Sequence, residues 1–280
     1  MDDKRAFGVW RVEWTWTPDL AAELEALGYG ILWIGGSKDS DLRVAEELLA
    51  ATETATIATG IVNVWTTDAA VVARSFHRLD ERFPGRFVLG VGAGHRESAE
   101  GYSKPYTAVT HYLDRLDAED VPADRRVLAA LGEKMLRLST TRASGAHPYL
   151  TTPAHTARAR EIMGPDAFLA PEQKVVLSAD PDAARSIGRP IVREPYLNRV
   201  NYVNNLKTLG YSDHDVLDGG SDRLIDDLVL HGDAAAVSAL LARHHDAGAD
   251  HVAVQLLSQS GPAPIDEYQE LARALGLQVP

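Results

Sequence analysis

Short apolar runs recur along the chain. Most are followed by a longer stretch in which apolar positions return every three or four residues. Unbroken runs rich in β-formers mark strands buried on both faces, and the amphipathic stretches between them mark helices laid against a sheet. Phe7-Gly8-Val9-Trp10 opens the series. Thr17-Pro18-Asp19 then supplies an N-cap and a first-turn proline for a helix to about Leu27, with Leu20, Leu24 and Leu27 at helical spacing and Gly28 as its stop. Ile31 to Ile34 is a second strand ending in Gly35-Gly36-Ser37, followed by a helix from about Leu42 to Thr52. Ile57 to Trp65 is the third strand, and Thr66-Thr67-Asp68 caps a helix from Ala69 to Phe83. After the Pro84-Gly85 turn, Phe87-Val88-Leu89 and Val91 form a fourth strand that runs into Gly92-Ala93-Gly94 and stops at His95-Arg96-Glu97.

The second half repeats the alternation. A helix reaches about Leu116, and Arg126 to Leu131 is a fifth strand ending at Gly132; Met135, Leu136 and Leu138 line the helix after it. Gly145 to Leu150 is a short sixth strand, because Pro148 removes a ladder donor. Pro153 to Met163 is helical, Val175 to Leu177 is strand seven, His251 to Leu257 is strand eight, and a last helix runs from about Ile265 to Leu275. Between strands seven and eight, about 179–250, the pattern is mainly helical, over Tyr196 to Leu209, Leu224 to Leu230 and Ala234 to Ala247. Eight strand signals with helices between them predict an α/β fold of the (β/α)8 TIM-barrel type, a single domain over 1–280 with that long insertion. The rival is an open doubly wound sheet. In either case ligands are expected at the carboxyl ends of the strands.

Composition narrows the chemistry. With 280 residues, 45% of them hydrophobic, the chain can bury a full core. A formal charge of -12 argues against nucleic acid or an anionic membrane as partner, since phosphate binding needs clustered Lys and Arg. The absence of cysteine removes disulfides, thiolate nucleophiles and Cys-based metal sites, and with a charged N-terminus and no spanning apolar run it suggests a cytoplasmic protein.

The glycine-rich run does not match the dinucleotide fingerprint G-x-G-x-x-G. Gly90, Gly92 and Gly94 alternate within a strand, and the position three after Gly92 is His95. Such spacing bares one face of backbone, which suits either a flat ring or a tightly packed neighbouring strand. His95 follows the strand's end, where barrels keep catalytic groups, and can exchange a proton near neutral pH. His147 stands beside Pro148 and Tyr149 on strand six; His244 and His245 read as surface residues of a helix. The ten histidines are scattered, so no metal site is expected, and neither a G-x-S-x-G elbow nor a Walker A loop occurs. Weak anion cradles remain at Gly132-Glu133-Lys134 and Ser144-Gly145-Ala146.

Taken as an ordered set, ILWIGG, IATGIVNVWTTDA, RFVLGVGAGH, LAALGEKML, GAHPYLTTPAHTARAREIMGP, NYVNNLKTLGYS and DAGADHVAVQLL resemble the luciferase-like flavin and deazaflavin oxidoreductases. The nearest-looking branch is the actinobacterial class that uses coenzyme F420. The resemblance covers essentially the whole chain. It implies a usually homodimeric barrel with a flavin or deazaflavin ring over the carboxyl-end mouth. It also implies a bulge in strand three, often with a non-prolyl cis peptide, which alignment puts at Gly60-Ile61 beside Val62 and Asn63. Gly35, Gly92 and Gly94 would give the ring room. Backbone around Gly132, Ala146, His147 and Pro148 would hold the cofactor phosphate. Trp10, Trp33, Trp65 and Tyr196 are assigned to the substrate side of the mouth, although a buried tryptophan also suits a core; Asn201 and Tyr202 are further candidates in the insertion.

One departure matters. The F420-dependent glucose-6-phosphate dehydrogenases use a strand-two Asp-His pair and a strand-four glutamate, where this chain has Gly35-Gly36 and His95. The expectation is therefore an F420-dependent oxidoreductase that moves a hydride between the deazaflavin and a different small organic substrate, with His95 handling the proton. An FMN-dependent monooxygenase and a non-catalytic flavin-binding or deazaflavin-binding barrel are the alternatives.

Overall fold

The apolar runs become strands of one sheet that curls into a ring, in a computed structural model describing residues 6–94, 104–259, 261–262 and 264–277. The first half contains β1 (Phe7–Val12), α1 (Pro18–Ala26), β2 (Ile31–Gly35), α2 (Arg43–Ala51), β3 (Thr56–Gly60), β4 (Val62–Asn63), α3 (Ala69–Arg82), β5 (Phe87–Gly92) and α4 (Pro105–Ala118). Then come β6 (Arg126–Leu128), α5 (Glu133–Arg142), β7 (Gly145–Ala146), α6 (Pro153–Met163), β8 (Phe168–Leu169) and β9 (Glu172–Leu177). The remainder is α7 (Pro181–Arg193), α8 (Val200–Thr208), α9 (Asp213–Val216), α10 (Asp222–Leu228), β10 (Val229–Gly232), α11 (Ala234–Asp246), β11 (Val252–Ser258), β12 (Gly261–Pro262) and α12 (Ile265–Ala274).

Neighbouring strands run β10-β9-β11-β1-β2-β3-β5-β6-β7-β8, and every ladder is parallel except the short β11–β12 pairing. The ring closes because β8 and β9 are two pieces of one extended segment, interrupted at Ala170-Pro171, where proline has no N–H to offer. On one flank Ala170 N donates to Ala146 O at 2.9 Å and Glu172 N to Pro148 O at 2.8 Å. On the other, Ala253 N donates to Pro171 O at 2.9 Å and β9 pairs with β11. The staves are thus β1, β2, β3–β4, β5, β6, β7, β8–β9 and β11, the (β/α)8 arrangement that the pattern predicts.

Two differences from the sequence reading have physical causes. Strand seven begins at Phe168 rather than Val175, because the charged residues Glu172 and Lys174 hide a strand that faces a polar partner set. Val229 and Leu230 are strand, not helix. Once β7–β8 pairing ends at Leu169, the outer edge of β9 has unpaired backbone groups, and β10 covers them in the register Val229↔Lys174 to Gly232↔Leu177.

Trp10, Ile31, Trp33, Ala58, Val127, Ala170 and Ala253 fill the barrel interior, small residues making room for the Trp33 indole. A second apolar layer, including Leu32, Ile57, Leu89 and Val91 against Leu24, Leu48, Val72 and Phe76, packs the sheet on its helices.

The feature that shapes the mouth lies between β3 and β5. Ala58 pairs with Val88, and the next matched pair is Val62 with Val91, so one strand advances four residues while its neighbour advances three. That extra residue is a β-bulge, located at Gly60-Ile61, whose peptide is cis as the resemblance implies. Where the ladder is broken, Thr59 replaces it. Its hydroxyl accepts from Gly90 N at 2.8 Å and donates to Gly90 O at 2.9 Å. Gly90 must be glycine here, since a Cβ would lie 1.9 Å from Thr59 O. Trp10 Nε1 donates to Gly60 O at 3.3 Å from the barrel interior.

Thr59→Val keeps the volume but leaves both Gly90 backbone groups buried without partners. It is expected to cost about 2–4 kcal/mol in urea unfolding, against under about 1 kcal/mol for Thr59→Ser. Equal stability of the valine and serine variants would contradict this account of the bulge.

Candidate active site

The carboxyl ends of the strands surround a cavity of about 1230 Å³. Its floor and walls come from Trp10 and Val12 after β1, Gly35 at the end of β2, Gly60, Ile61 and Asn63 at the bulge, Ala93-Gly94 after β5, Ala129 to Gly132 after β6, His147 and Tyr149 after β7, and Gln255 on β11. Ile191, Glu194, Pro195, Tyr196, Val200, Asn201, Tyr202 and Asn204, all from the segment between strands seven and eight, form the far wall. The cavity exceeds the usual range of small-molecule sites and has room for a large ring and a second ligand together.

His147 supplies an unpartnered polar atom at the floor. The residue is buried, and its ring stacks on Trp33 with centroids 4.0 Å apart and planes 9° apart. Nδ1 lies 2.7 Å from Ala170 O, which can only accept, so Nδ1 carries the proton and Nε2 is left as an acceptor. Nε2 is buried, has no partner among the described residues, and sits 3.2 Å from where a Cβ on Gly60 would be. Burial lowers the ring's pKa to about 4, keeping it neutral at physiological pH.

A second polar assembly supports the β7–β9–β11 side. Lys174 and Glu172 are completely buried and meet at 3.1 Å, and Glu172 Oε2 also accepts from Leu150 N at 3.0 Å. Burial pushes the carboxyl up and the ammonium down, while their mutual contact holds both nearer their charged forms. The Lys174 Nζ also lies 3.9 Å from the centroid of the Tyr149 ring. Tyr196 donates to the Tyr149 hydroxyl at 3.2 Å, and Tyr149 donates to Gln255 Oε1 at 3.0 Å. Burial raises the pKa of Tyr149, and that of Tyr196 to about 12, so both hydroxyls stay protonated.

Of the residues singled out from sequence, Trp10, Gly35, Gly60, Ile61, Asn63, Gly94, Gly132, His147 and Tyr196 reach the cavity wall, as do Asn201 and Tyr202. Others do not. Trp33 is fully buried beneath His147 as the barrel's plug, and Val62 and Ala146 belong to the core. Trp65 is off the wall, and Pro148 helps close the ring instead. Gly92 faces Ala129 and Ile61, so at Gly90 and Gly92 the bare backbone is taken up by strand packing. Gly35 lies at the rim, but the face a Cβ would occupy is covered by the Trp10 indole, with Trp10 Cζ2 2.1 Å away. Gly94, at φ +55°, carries the Asn63 amide over it. His95 lies outside the described residues. His244 is buried rather than on the surface, bonded to Thr156 Oγ1 at 2.8 Å and Gln173 Oε1 at 2.9 Å; His245 is half-buried against Phe7. No cluster of metal-ligating residues occurs among the described residues.

Sequence reasoning missed Glu172, Lys174 and Gln255. The i, i+2 spacing of Glu172 and Lys174, which puts both on one face of a strand, was the available signal. It missed Trp14 and Lys38 at the rim as well, and a cleft of about 540 Å³ lined by Lys104, Tyr106, Thr107, Lys134 and Arg137. Cleft and cavity are lined by neighbours in the chain: Lys104 precedes the cavity residue Pro105, and α5 gives Met135 to the cavity and Lys134 to the cleft. Neither Lys104 nor Lys134 has a carboxylate partner among the described residues, while Arg137 bonds Glu133 at 2.9 Å on the surface. The N-cap of α5 is Gly132, so no side chain occupies its first-turn N–H groups.

Among solved structures, an F420-dependent secondary alcohol dehydrogenase in complex with an F420-acetone adduct matches with a TM-score of 0.72 at 14% identity, over 97% of this chain and 99% of that one. A coenzyme F420 dependent tetrahydromethanopterin reductase from Methanopyrus kandleri matches at 0.67 and 18% identity, over 96% and 97%. The FMN-bound oxygenating constituent of 3,6-diketocamphane monooxygenase from Pseudomonas putida matches at 0.68 and 13%, over 98% and 96%. A search of curated proteins returns no match. Residues 11–116 match the luciferase-like monooxygenase family, and the described chain has the TIM-barrel-like fold of luciferase-like proteins.

Proposed function

We propose that this protein is an F420-dependent oxidoreductase that acts as one domain and as a homodimer, with the cofactor ring in the 1230 Å³ cavity and a small organic substrate beside it. The residues fit such a group. An unpartnered, buried acceptor at His147 Nε2 suits a ring N–H, and the uncapped first turn of α5 suits a phosphate. When bound, the deazaflavin supplies hydride chemistry, and the protein supplies placement and electrostatics. The Gly60-Ile61 bulge and Trp10 fix the floor, the wall from the insertion excludes water, and His95, next in sequence after Gly94, is assigned the accompanying proton.

The observation that favours F420 over FMN is the cleft at Lys104, Lys134 and Arg137. FMN ends in one phosphate. F420 continues through a phosphodiester into a chain of carboxylates, and a basic cleft lined by the sequence neighbours of cavity residues, on a protein of net charge -12, gives such a tail a place to lie.

Fluorescence titration with each cofactor tests the reading. Micromolar or tighter F420 binding is expected, and micromolar FMN affinity with no F420 response would overturn it. Reversal of the cleft's charge in Lys134→Glu with Arg137→Glu should weaken F420 by about tenfold or more and leave FMN within about threefold. For His95→Ala, turnover should fall about a hundredfold with cofactor affinity nearly unchanged; an unchanged rate would remove His95 from the chemistry.

A further inference from the structure

Resting on that reading of the cavity, we propose that Gln255 is the hydrogen-bond donor that recognises a carbonyl oxygen on a planar aromatic substrate. Tyr149 and Lys174 are its positioning residues.

Tyr196 donates to Tyr149, so the Tyr149 proton is directed onward to Gln255 Oε1 at 3.0 Å. That engages the oxygen of Gln255 and orients the amide, because a reversed amide would leave the Tyr149 proton without its acceptor. Gln255 lines the cavity, and its Nε2 has no hydrogen bond to another described residue. The free end is therefore a donor, and its complement is an acceptor such as a carbonyl oxygen.

Lys174 strengthens the arrangement from behind. Its ammonium, completely buried and 3.9 Å from the Tyr149 centroid, draws electron density from the ring and makes the hydroxyl a better donor. A stronger Tyr149 bond to Oε1 polarises the amide and sharpens Nε2 in turn. Glu172 meets that ammonium at 3.1 Å and favours its charged form against the burial that opposes it, and is itself tied to Leu150 N. A buried ion pair is weak evidence of stability, and its orienting effect on cavity groups accounts for it better.

The aromatic requirement comes from the wall. Trp10, Tyr149, Tyr196 and Tyr202 form an unbroken series, with successive centroids 5.0, 5.4 and 5.1 Å apart and planes tilted by 48°, 46° and 74°. All four line the cavity, and Tyr149 among them contacts Gln255. Tilted rings present both faces and edges, a surface that a flat π-system meets in offset or edge-to-face contact and that a saturated ring meets less well.

Calorimetric titration with acetophenone, ethylbenzene and cyclohexyl methyl ketone, on the protein alone and loaded with F420, separates the two elements. Acetophenone should bind at least about tenfold tighter than ethylbenzene, which lacks the oxygen, and at least about threefold tighter than the saturated ketone. Gln255→Glu, which still accepts from Tyr149 but turns an oxygen toward the ligand, should abolish the preference over ethylbenzene. Gln255→Leu should do the same. Tyr149→Phe keeps the ring over Lys174 and should reduce the preference by about threefold or more, a loss confined to carbonyl ligands that a purely structural role would not produce. A preference retained in both Gln255 variants, equal binding of the two ketones, or no acetophenone binding to the wild type would overturn the proposal. Failure to bind F420, with the ketone pattern intact in the unloaded protein, would overturn the cofactor reading alone.

Discussion

The geometry of the mouth depends on one mismatch between neighbouring strands. From Ala58 to Val62 the third stave advances one residue more than its partner does from Val88 to Val91, and the ladder cannot span the difference. The Thr59 hydroxyl takes over both hydrogen bonds at Gly90, and Trp10 ties Gly60 O to the first strand. Because these side chains satisfy the backbone that the bulge would leave unpaired, Gly60 and Ile61 can turn into the cavity with no broken polar group beneath them. Everything else at the floor is arranged around that step: Trp10 covers Gly35, His147 points Nε2 toward Gly60, and Trp33 supports His147.

A second constraint acts on the opposite side of the ring. Pro171 interrupts the seventh stave, so β8 and β9 pair with different neighbours, and β10 joins the edge that β9 would otherwise leave open. The residue after the break is Glu172, and Lys174 follows on the same face, which buries a charge pair directly under the aromatic wall. The barrel thus has a rigid apolar and imidazole floor on one side and an oriented polar relay on the other. A ligand in between would meet fixed groups rather than groups that must reorganise.

Much of this was legible in the amino-acid pattern, and the rest was not for identifiable reasons. Eight apolar runs, each long enough for one stave, predicted the barrel, since burial on both faces leaves an unbroken hydrophobic signal. The bulge at Gly60-Ile61 followed from the family resemblance, not from periodicity, which cannot register a single extra residue. The glycines of β5 suggested a bare surface for a ring. Only three-dimensional packing shows that Thr59 O, Ala129 and Ile61 already fill that space at Gly90 and Gly92. Trp33 illustrates the same limit, because an apolar residue on a strand looks identical in sequence whether it plugs the barrel or lines its mouth. His244 reads as a surface residue, and Glu172 and Lys174 give no sign of burial, yet each is buried beside a specific partner, and the partners lie far away in sequence for His244.

The central claim is that the cavity above the Gly60-Ile61 bulge is the place where a flavin-type ring is held. A crystal structure of the protein grown with saturating F420 tests it most directly. The account predicts the ring against Gly60-Ile61, with a ring N–H directed at His147 Nε2 and the tail running past Gly132 toward Lys134. A ring bound elsewhere on the molecule, or a cavity that stays free of cofactor at saturation, would contradict it.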